Sequence, residues 1–345
     1  AMSSKALQRL LPLAQRNFLT PDEKRKLQIA VWGEKPNYQP PPQLGVYTWA
    51  LVENACAEPE KAKPLLTEYF FNTLLAQYDD LNFLEDVVSY ALQCQQSPNS
   101  KQALALFSLL VAWREPQDAT VRAFSFGAHE QKSKLIGQLL AYSIVPALPQ
   151  SALTEKHFQQ LQAFMEENGS YWAIRGMIPF AQKAPAMAAK VQRFMRLQLH
   201  TTDGQAVSLA ADAIRLWSQK APRSGEIKEL VQLVVNAIVA GKKEGLTGML
   251  HAIKGLIEEG SINMKEDAAT FAPLVDSLPL IYASGDYTKL NHHSLEAVNA
   301  PLVRAGCVKL ARTLLAHHRQ DVDAEPLEAL LKQAKEDPLP EVRLV

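Results

Sequence analysis

Apolar side chains return every three or four residues along almost the whole of this chain, and nowhere do they settle into the period-two alternation of a half-buried strand. Helix is therefore the only regular element it can build at scale, and each helix must bury one stripe against a neighbour. Leu7, Leu10, Leu11 and Leu13 form such a stripe, opposite a polar side carrying Lys5, Gln8, Arg9 and Arg16. Thr20-Pro21-Asp22-Glu23 then supplies an N-cap, a proline at the first helical position and an acid placed to bond back, so a second helix starts there.

Punctuation divides the rest. Pro36, Pro40, Pro41 and Pro42 make 35–45 the clearest internal linker, because proline lacks the amide and clashes with the preceding turn. Pro146 and Pro149 bracket a second break at 146–151. Helices are expected at 47–57, 61–77, 81–95, 101–113, 120–126 and 131–145. After the second break they are expected at 154–167, 171–181, 186–200, 205–220, 225–240, 246–259, 265–276, 300–318 and 326–334. Asn168-Gly169-Ser170, Asp203-Gly204, Gly241 and Gly260-Ser261 fall where helices end or restart. Short connections make successive helices antiparallel neighbours. At 345 residues the chain exceeds one compact core, so it is either multi-domain or a stack growing along one axis.

Composition narrows the class. With 47% hydrophobic and 21% charged residues, the chain has the makings of a folded protein rather than a disordered one. Thirty-six basic residues balance 36 acidic ones, which argues against a chain built as a whole to neutralise phosphates. Cys56, Cys94 and Cys307 lie far apart without a C-x-x-C pair, the usage of a reducing compartment, and no apolar signal core follows Ser3-Ser4-Lys5. The most apolar windows, 103–113 and 230–240, are about half the ~20 residues of a membrane span. A cytoplasmic protein without membrane contact is expected.

Four stretches share one phrase, an aliphatic residue followed by Arg near a helix start: Val121-Arg122, Ile174-Arg175, Val303-Arg304 and Val342-Arg343. Asn299-Ala300-Pro301-Leu302-Val303-Arg304 opens one such helix, and Asp337-Pro338-Leu339-Pro340-Glu341-Val342-Arg343 opens the next, 39 residues on. Val121 and Val207 are 86 residues apart, two periods of 43, although Ser208 stands where Arg is expected. On these residues the stretch from Gln117 to Val345 resembles the HEAT-repeat group of armadillo-like α-solenoids. The resemblance implies an all-α, right-handed α-α superhelix of antiparallel helix pairs. It also implies that the aliphatic residue enters the core between repeats while the Arg bonds to an acidic group of the next repeat, with Asp203 and Asp337 as candidate acids. Three stretches result: 1–45, an N-terminal helical pair with the proline-rich linker; 46–150, irregular helical repeats; and 151–345, HEAT-like repeats. The last phrase stops two residues before Val345, so a longer polypeptide is expected.

Chemistry is sparsely signalled. The chain has no G-x-x-x-x-G-K-[ST], H-E-x-x-H or G-x-S-x-G, and no cofactor or metal is expected. Gly241-Lys242-Lys243-Glu244-Gly245 reads as a turn between helices, not a phosphate loop. His292-His293 and His317-His318 read as polar helix ends, since adjacent histidines on a helix diverge by about 100°. Lys190, Arg193, Arg196 and His200 share one helix face, opposite Val191, Phe194, Met195 and Leu197, and Arg304, Arg312 and Arg319 approximate a second basic stripe. Trp32, Trp49, Trp113, Trp172 and Trp217 read as core, with Tyr171-Trp172 beside Arg175 as a candidate stacking platform. The expected function is a non-catalytic, protein-binding scaffold. The alternative is a nucleic-acid-binding solenoid that uses the basic stripes, as in DNA-repair glycosylases of similar architecture.

Overall fold

The computed structural model describes residues 67, 70–93, 95–116, 127–221, 224–262, 265–285 and 295–345. Every regular element among them is a helix and none is a strand, so the chain is all-α. It forms two compact units, Ala1–Lys183 and Ala184–Val345. Residue 151, where the sequence places the start of the regular repeats, lies within the first unit. The N-terminal helices, the 35–45 linker, the Val121-Arg122 phrase and His292-His293 lie outside the described residues.

The first unit contains α1 (Leu81–Gln93), α2 (Ser100–Val111), α3 (Ala128–Leu139), α4 (Glu155–Asn168) and α5 (Ile178–Lys183). Asn99 starts α2: its side chain accepts the Gln102 amide at 2.9 Å while the Gln102 side chain accepts the Asn99 amide at 3.0 Å, satisfying two orphan donors together. Helix α1 packs on α3 and α2 on α4, over a core that includes Phe70, Phe71, Leu106, Phe107 and Phe164. Past Leu139, α3 widens into a π turn, Leu140–Ile144, and then a 3-10 turn that carries Pro146. The π turn buries Ser143, whose hydroxyl donates to the Gln96 carbonyl at 2.8 Å. Thr154 and Gly169, at φ 58°, cap the two ends of α4.

The second unit contains α6 (Pro185–Leu199), α7 (Gly204–Lys220), α8 (Gly225–Val239), α9 (Leu246–Glu258), α10 (Ala268–Ser284), α11 (Leu295–His318), α12 (Ala324–Ala334) and the short α13 (Pro340–Arg343). Each helix packs on the next but one: α6 on α8, α8 on α10 and α10 on α12 form one layer, and α7 on α9, α9 on α11 and α11 on α13 the other. Asp203 caps α7 by accepting the Gln205 and Ala206 amides at 2.9 and 3.2 Å, so its carboxylate serves its own helix, and among the described residues it pairs with no arginine. In the second layer α7 and α9 approach where side chains are smallest. A Cβ on Gly248 would lie 2.5 Å from the Ser208 side chain, and one on Gly245 would lie 2.7 Å from Val207 Cβ and 2.9 Å from the Gly204 carbonyl oxygen.

Boundaries differ from expectation at several places. The helix expected at 171–181 is a 3-10 turn over Ile174–Met177 and α-helical only as α5, and the one expected at 131–145 leaves α geometry after Leu139. Two more boundaries shift at prolines. Helix α10 does not end at Asp276 but continues through Pro273 and Pro279, and α11 begins at Leu295, with Pro301 inside it. An interior proline costs about 3 kcal/mol of local helix stability. In α10 the stripe of Phe271, Leu274, Val275, Leu278, Ile281 and Tyr282 is buried regardless, and burial at ~1.5–3 kcal/mol per large apolar side chain outweighs that cost.

Candidate functional site

The first basic stripe lies on α6. Arg193, Arg196 and His200 are exposed and Lys190 is half-buried. Val191, Phe194 and Met195 are buried opposite, but Leu197 is 54% exposed, contrary to its expected place in the core. Arg196 Nη1 sits 3.0 Å from Glu229 of α8, whose other oxygen accepts from Gln192 at 2.6 Å. The Arg196 charge is therefore answered from the neighbouring helix, in an exposed pair worth about 0–1 kcal/mol.

The second stripe is divided by the fold. Arg312 and Arg319 are exposed, whereas Arg304 is 5% exposed. Eight residues separate Arg304 from Arg312, a rotation of about 80° on the helix, while the seven-residue step to Arg319 stays almost aligned. Arg304 is thus corrected from a partner-binding cation to an internal one. Its guanidinium lies 4.2 Å from the centre of the Tyr282 ring, and its Nη2 is 2.9 Å from Asp337 Oδ2. The Tyr282 hydroxyl donates to the same oxygen. Asp337 Oδ1 accepts the Leu339 amide at 2.9 Å, and Arg343 donates to the Asp337 carbonyl. Asp337, one of the two acids singled out in the sequence, thereby joins α10, α11 and the turn into α13. The repeated phrase does not occupy equivalent environments: Val342 is buried and Arg343 exposed, while Val303 is half-buried and Arg304 buried.

Burial shifts two titrating groups beside this cluster. It pushes the Tyr282 hydroxyl up from 10.0 to about 12, helped by the bond to Asp337 and opposed by the charge of Arg304. It also pushes the Cys307 thiol up from 9.0 to about 12, against the pull of Arg304. Both groups are acids with raised folded-state values, so the stability they contribute is present below their unfolded values and lost as pH rises through the folded ones. The urea midpoint of the second unit is expected to fall between about pH 9 and pH 12, with less loss above pH 10 in Tyr282→Phe. An unchanged midpoint across that window would contradict the assignment.

The exposed side of α9 and α11 differs from the α6 stripe. Val298 and Leu302, one helical turn apart, are 66% and 57% exposed. Lys309 and Arg312 follow on the same helix, both exposed, and neither forms an ion pair among the described residues. Leu250 against Gly306, and Thr313 donating to Glu258 at 3.3 Å, set α9 beside α11 and place exposed His251 near the middle of that side. Lys254 donates to Glu258 at 2.5 Å, and this bond, more than any other contact, holds that carboxyl below its ordinary range.

A cavity of about 420 Å³ lies where α8 meets the start of α10, with Ile227, Val231, Ile262 and Phe271 as its apolar lining and Lys228 and Thr270 among its polar lining. In the first unit, Lys134 Nζ lies 4.9 Å from the Trp172 ring centre and the Arg175 guanidinium 4.5 Å from that of Tyr142. The 241–245 segment is a turn with left-handed glycines at both ends, and Lys242 donates to the Thr201 carbonyl at 2.7 Å. His318 lies 3.4 Å from Asp321, and Asp323 caps α12 by accepting the Glu325 amide at 3.1 Å. Among the described residues, no three His, Cys, Asp or Glu side chains are grouped to hold a metal ion, and no helix is long and apolar enough to cross a membrane.

Sequence reasoning found Arg312, Trp172 and Arg175 but missed Val298, Leu302, Lys309, Lys134 and Tyr142. Val298 was hidden because the helix was expected to open at Ala300. Lys134 and Tyr142 gain meaning only from a segment more than thirty residues away. No protein-family model matches the chain, and no curated protein or solved structure matches it either.

Proposed function

We propose that the second unit is a HEAT-like, right-handed stack of antiparallel helix pairs that serves as a non-catalytic scaffold for another protein, bound along the exposed side of α9 and α11. The observation that carries this reading is the sequence of apolar Val298 and Leu302 followed by the unpaired cations Lys309 and Arg312 on one helix. Large exposed aliphatic side chains beside unanswered charge mark a surface whose partner supplies both an apolar anchor and acids. Support for the stack comes from the alternation of helices between two layers. The close approach of α7 and α9 at Gly245 and Gly248 favours curvature towards the α7–α9–α11 layer. The α6 stripe lies on the other layer, partly neutralised by Glu229, which weighs against a phosphate-binding concave surface.

The test is affinity capture from native extract with the wild-type chain, Leu302→Asp and the pair Lys309→Glu/Arg312→Glu. Anchor residues of protein interfaces commonly cost ~2 kcal/mol or more when lost, roughly thirtyfold in affinity. The same captured protein should disappear with both variants, and Arg193→Ala on the opposite layer should retain it. Capture that survives both variants sinks the proposal.

A further inference from the structure

The two cation–ring pairs of the first unit lie on one seam. Helix α3 and its π turn contribute Lys134 and Tyr142, and the segment entering α5 contributes Trp172 and Arg175, so each side gives one ring and one cation. The seam is held tight by small residues. A Cβ on Gly137 would lie 2.8 Å from Trp172 Cβ, and one on Gly176 would lie 3.4 Å from Ala141 Cα. Neither Lys134 nor Arg175 has an ion-pair partner among the described residues. Core formation accounts for Trp172, which rests against Gly137. It does not account for Tyr142, which is 38% exposed between buried Ala141 and Ser143. Tyr142 lies within the π turn, Leu140–Ile144. Such turns are frequent at functional sites.

We propose that this seam binds nucleotides, with bases stacked on the Arg175–Tyr142 and Lys134–Trp172 pairs and phosphates held by the two cations. Arg guanidinium planes and aromatic rings are the surfaces on which unpaired bases stack, and a cation already seated on a ring presents its outer face without further ordering. The unanswered charges supply the phosphate attraction that the α6 stripe and buried Arg304 do not. Lys134 and Tyr142 are eight residues apart, about 12 Å along a helix. That length exceeds the stacking step of about 3.4 Å along a strand, so the seam has room for more than one base and suits a single strand better than a free mononucleotide.

The experiment uses the full chain, a short oligothymidylate, thymidine monophosphate and a duplex of the same length, read by intrinsic tryptophan fluorescence and by anisotropy of a labelled strand. The oligothymidylate is expected to quench tryptophan emission and to bind with a log–log salt slope of about −1.4, the value for two neutralised phosphates on a single strand. Tyr142→Leu should weaken binding between about fivefold and a hundredfold. Lys134→Gln/Arg175→Gln should flatten the salt slope to about zero, and Arg193→Ala should change nothing. Monophosphate binding as tight as the oligonucleotide assigns the seam to free nucleotides and still supports the proposal. The proposal is overturned by no binding at low salt, by preference for the duplex, by binding without tryptophan quenching, or by binding indifferent to Tyr142→Leu. Lys134→Gln alone, at an exposed position, keeps the test valid if the other variants prove unstable: a salt slope reduced by about half supports the proposal and an unchanged slope overturns it.

Discussion

Asp337→Ala is expected to destabilise the second unit by about 3–5 kcal/mol, the range for removing one partner of a buried ion pair. Arg304 would remain buried against Tyr282 without its carboxylate, and two of its nitrogens, Nε and Nη1, have no partner among the described residues even in the wild type. The same substitution strips the Tyr282 hydroxyl of its acceptor and the Leu339 amide of its cap. Urea titration followed by circular dichroism measures the loss directly. Arg304→Met combined with Asp337→Asn should recover much of it, because the charge leaves together with its partner while the Asn carbonyl oxygen still accepts the Leu339 amide and its NH2 group donates to the Tyr282 hydroxyl oxygen. A loss below about 1 kcal/mol for Asp337→Ala would mean that water already shares the site.

Gly245→Val is expected to be nearly as damaging, for reasons of backbone. At φ 69° a β-branched residue is strained by about 1–2 kcal/mol. Its Cβ would also meet Val207 Cβ at 2.7 Å and the Gly204 carbonyl oxygen at 2.9 Å. The carbonyl cannot rotate aside as a side chain might, so α7 and α9 must separate, and overpacking of this kind costs about 1–3 kcal/mol more. Gly241→Ala isolates the first term, since Gly241 has φ 73° with nothing within 4 Å of an added Cβ. Denaturation should rank wild type, Gly241→Ala and Gly245→Val in falling order of stability. Equal effects of the two variants would show that the layers yield freely.

Much of the helix count was legible because amphipathic periodicity is a local property, and so were the caps at Asn168-Gly169-Ser170 and the left-handed turns at Gly241 and Gly260. The failures occur where tertiary burial overrides a local rule. Pro279 reads as lying beyond the end of its helix and Pro301 as lying at the start of one, yet both sit inside helices that run past them, in α10 because a buried stripe on the other side offsets the missing bond. Arg304 read as surface because arginine usually is. Its burial depends on Tyr282 and Asp337 arriving from two other elements. Asp337 itself was legible as the acid of the repeated phrase, whereas Asp203, chosen by the same logic, turned out to cap its own helix. The Tyr142 side of the seam was invisible, since nothing in Tyr142-Ser143 announces a π turn.

The prolines of α10 have a further consequence for motion. Pro273 and Pro279 carry no amide, so the carbonyls of Ala269 and Val275 lose their usual acceptor role in the ladder. The helix is thereby cut into three short stretches that share one buried stripe but not one continuous run of hydrogen bonds. Opening can then proceed stretch by stretch rather than end to end. Amide exchange across α10 would report segments of distinct protection, with the stretch beyond Pro279, anchored by Tyr282, opening last.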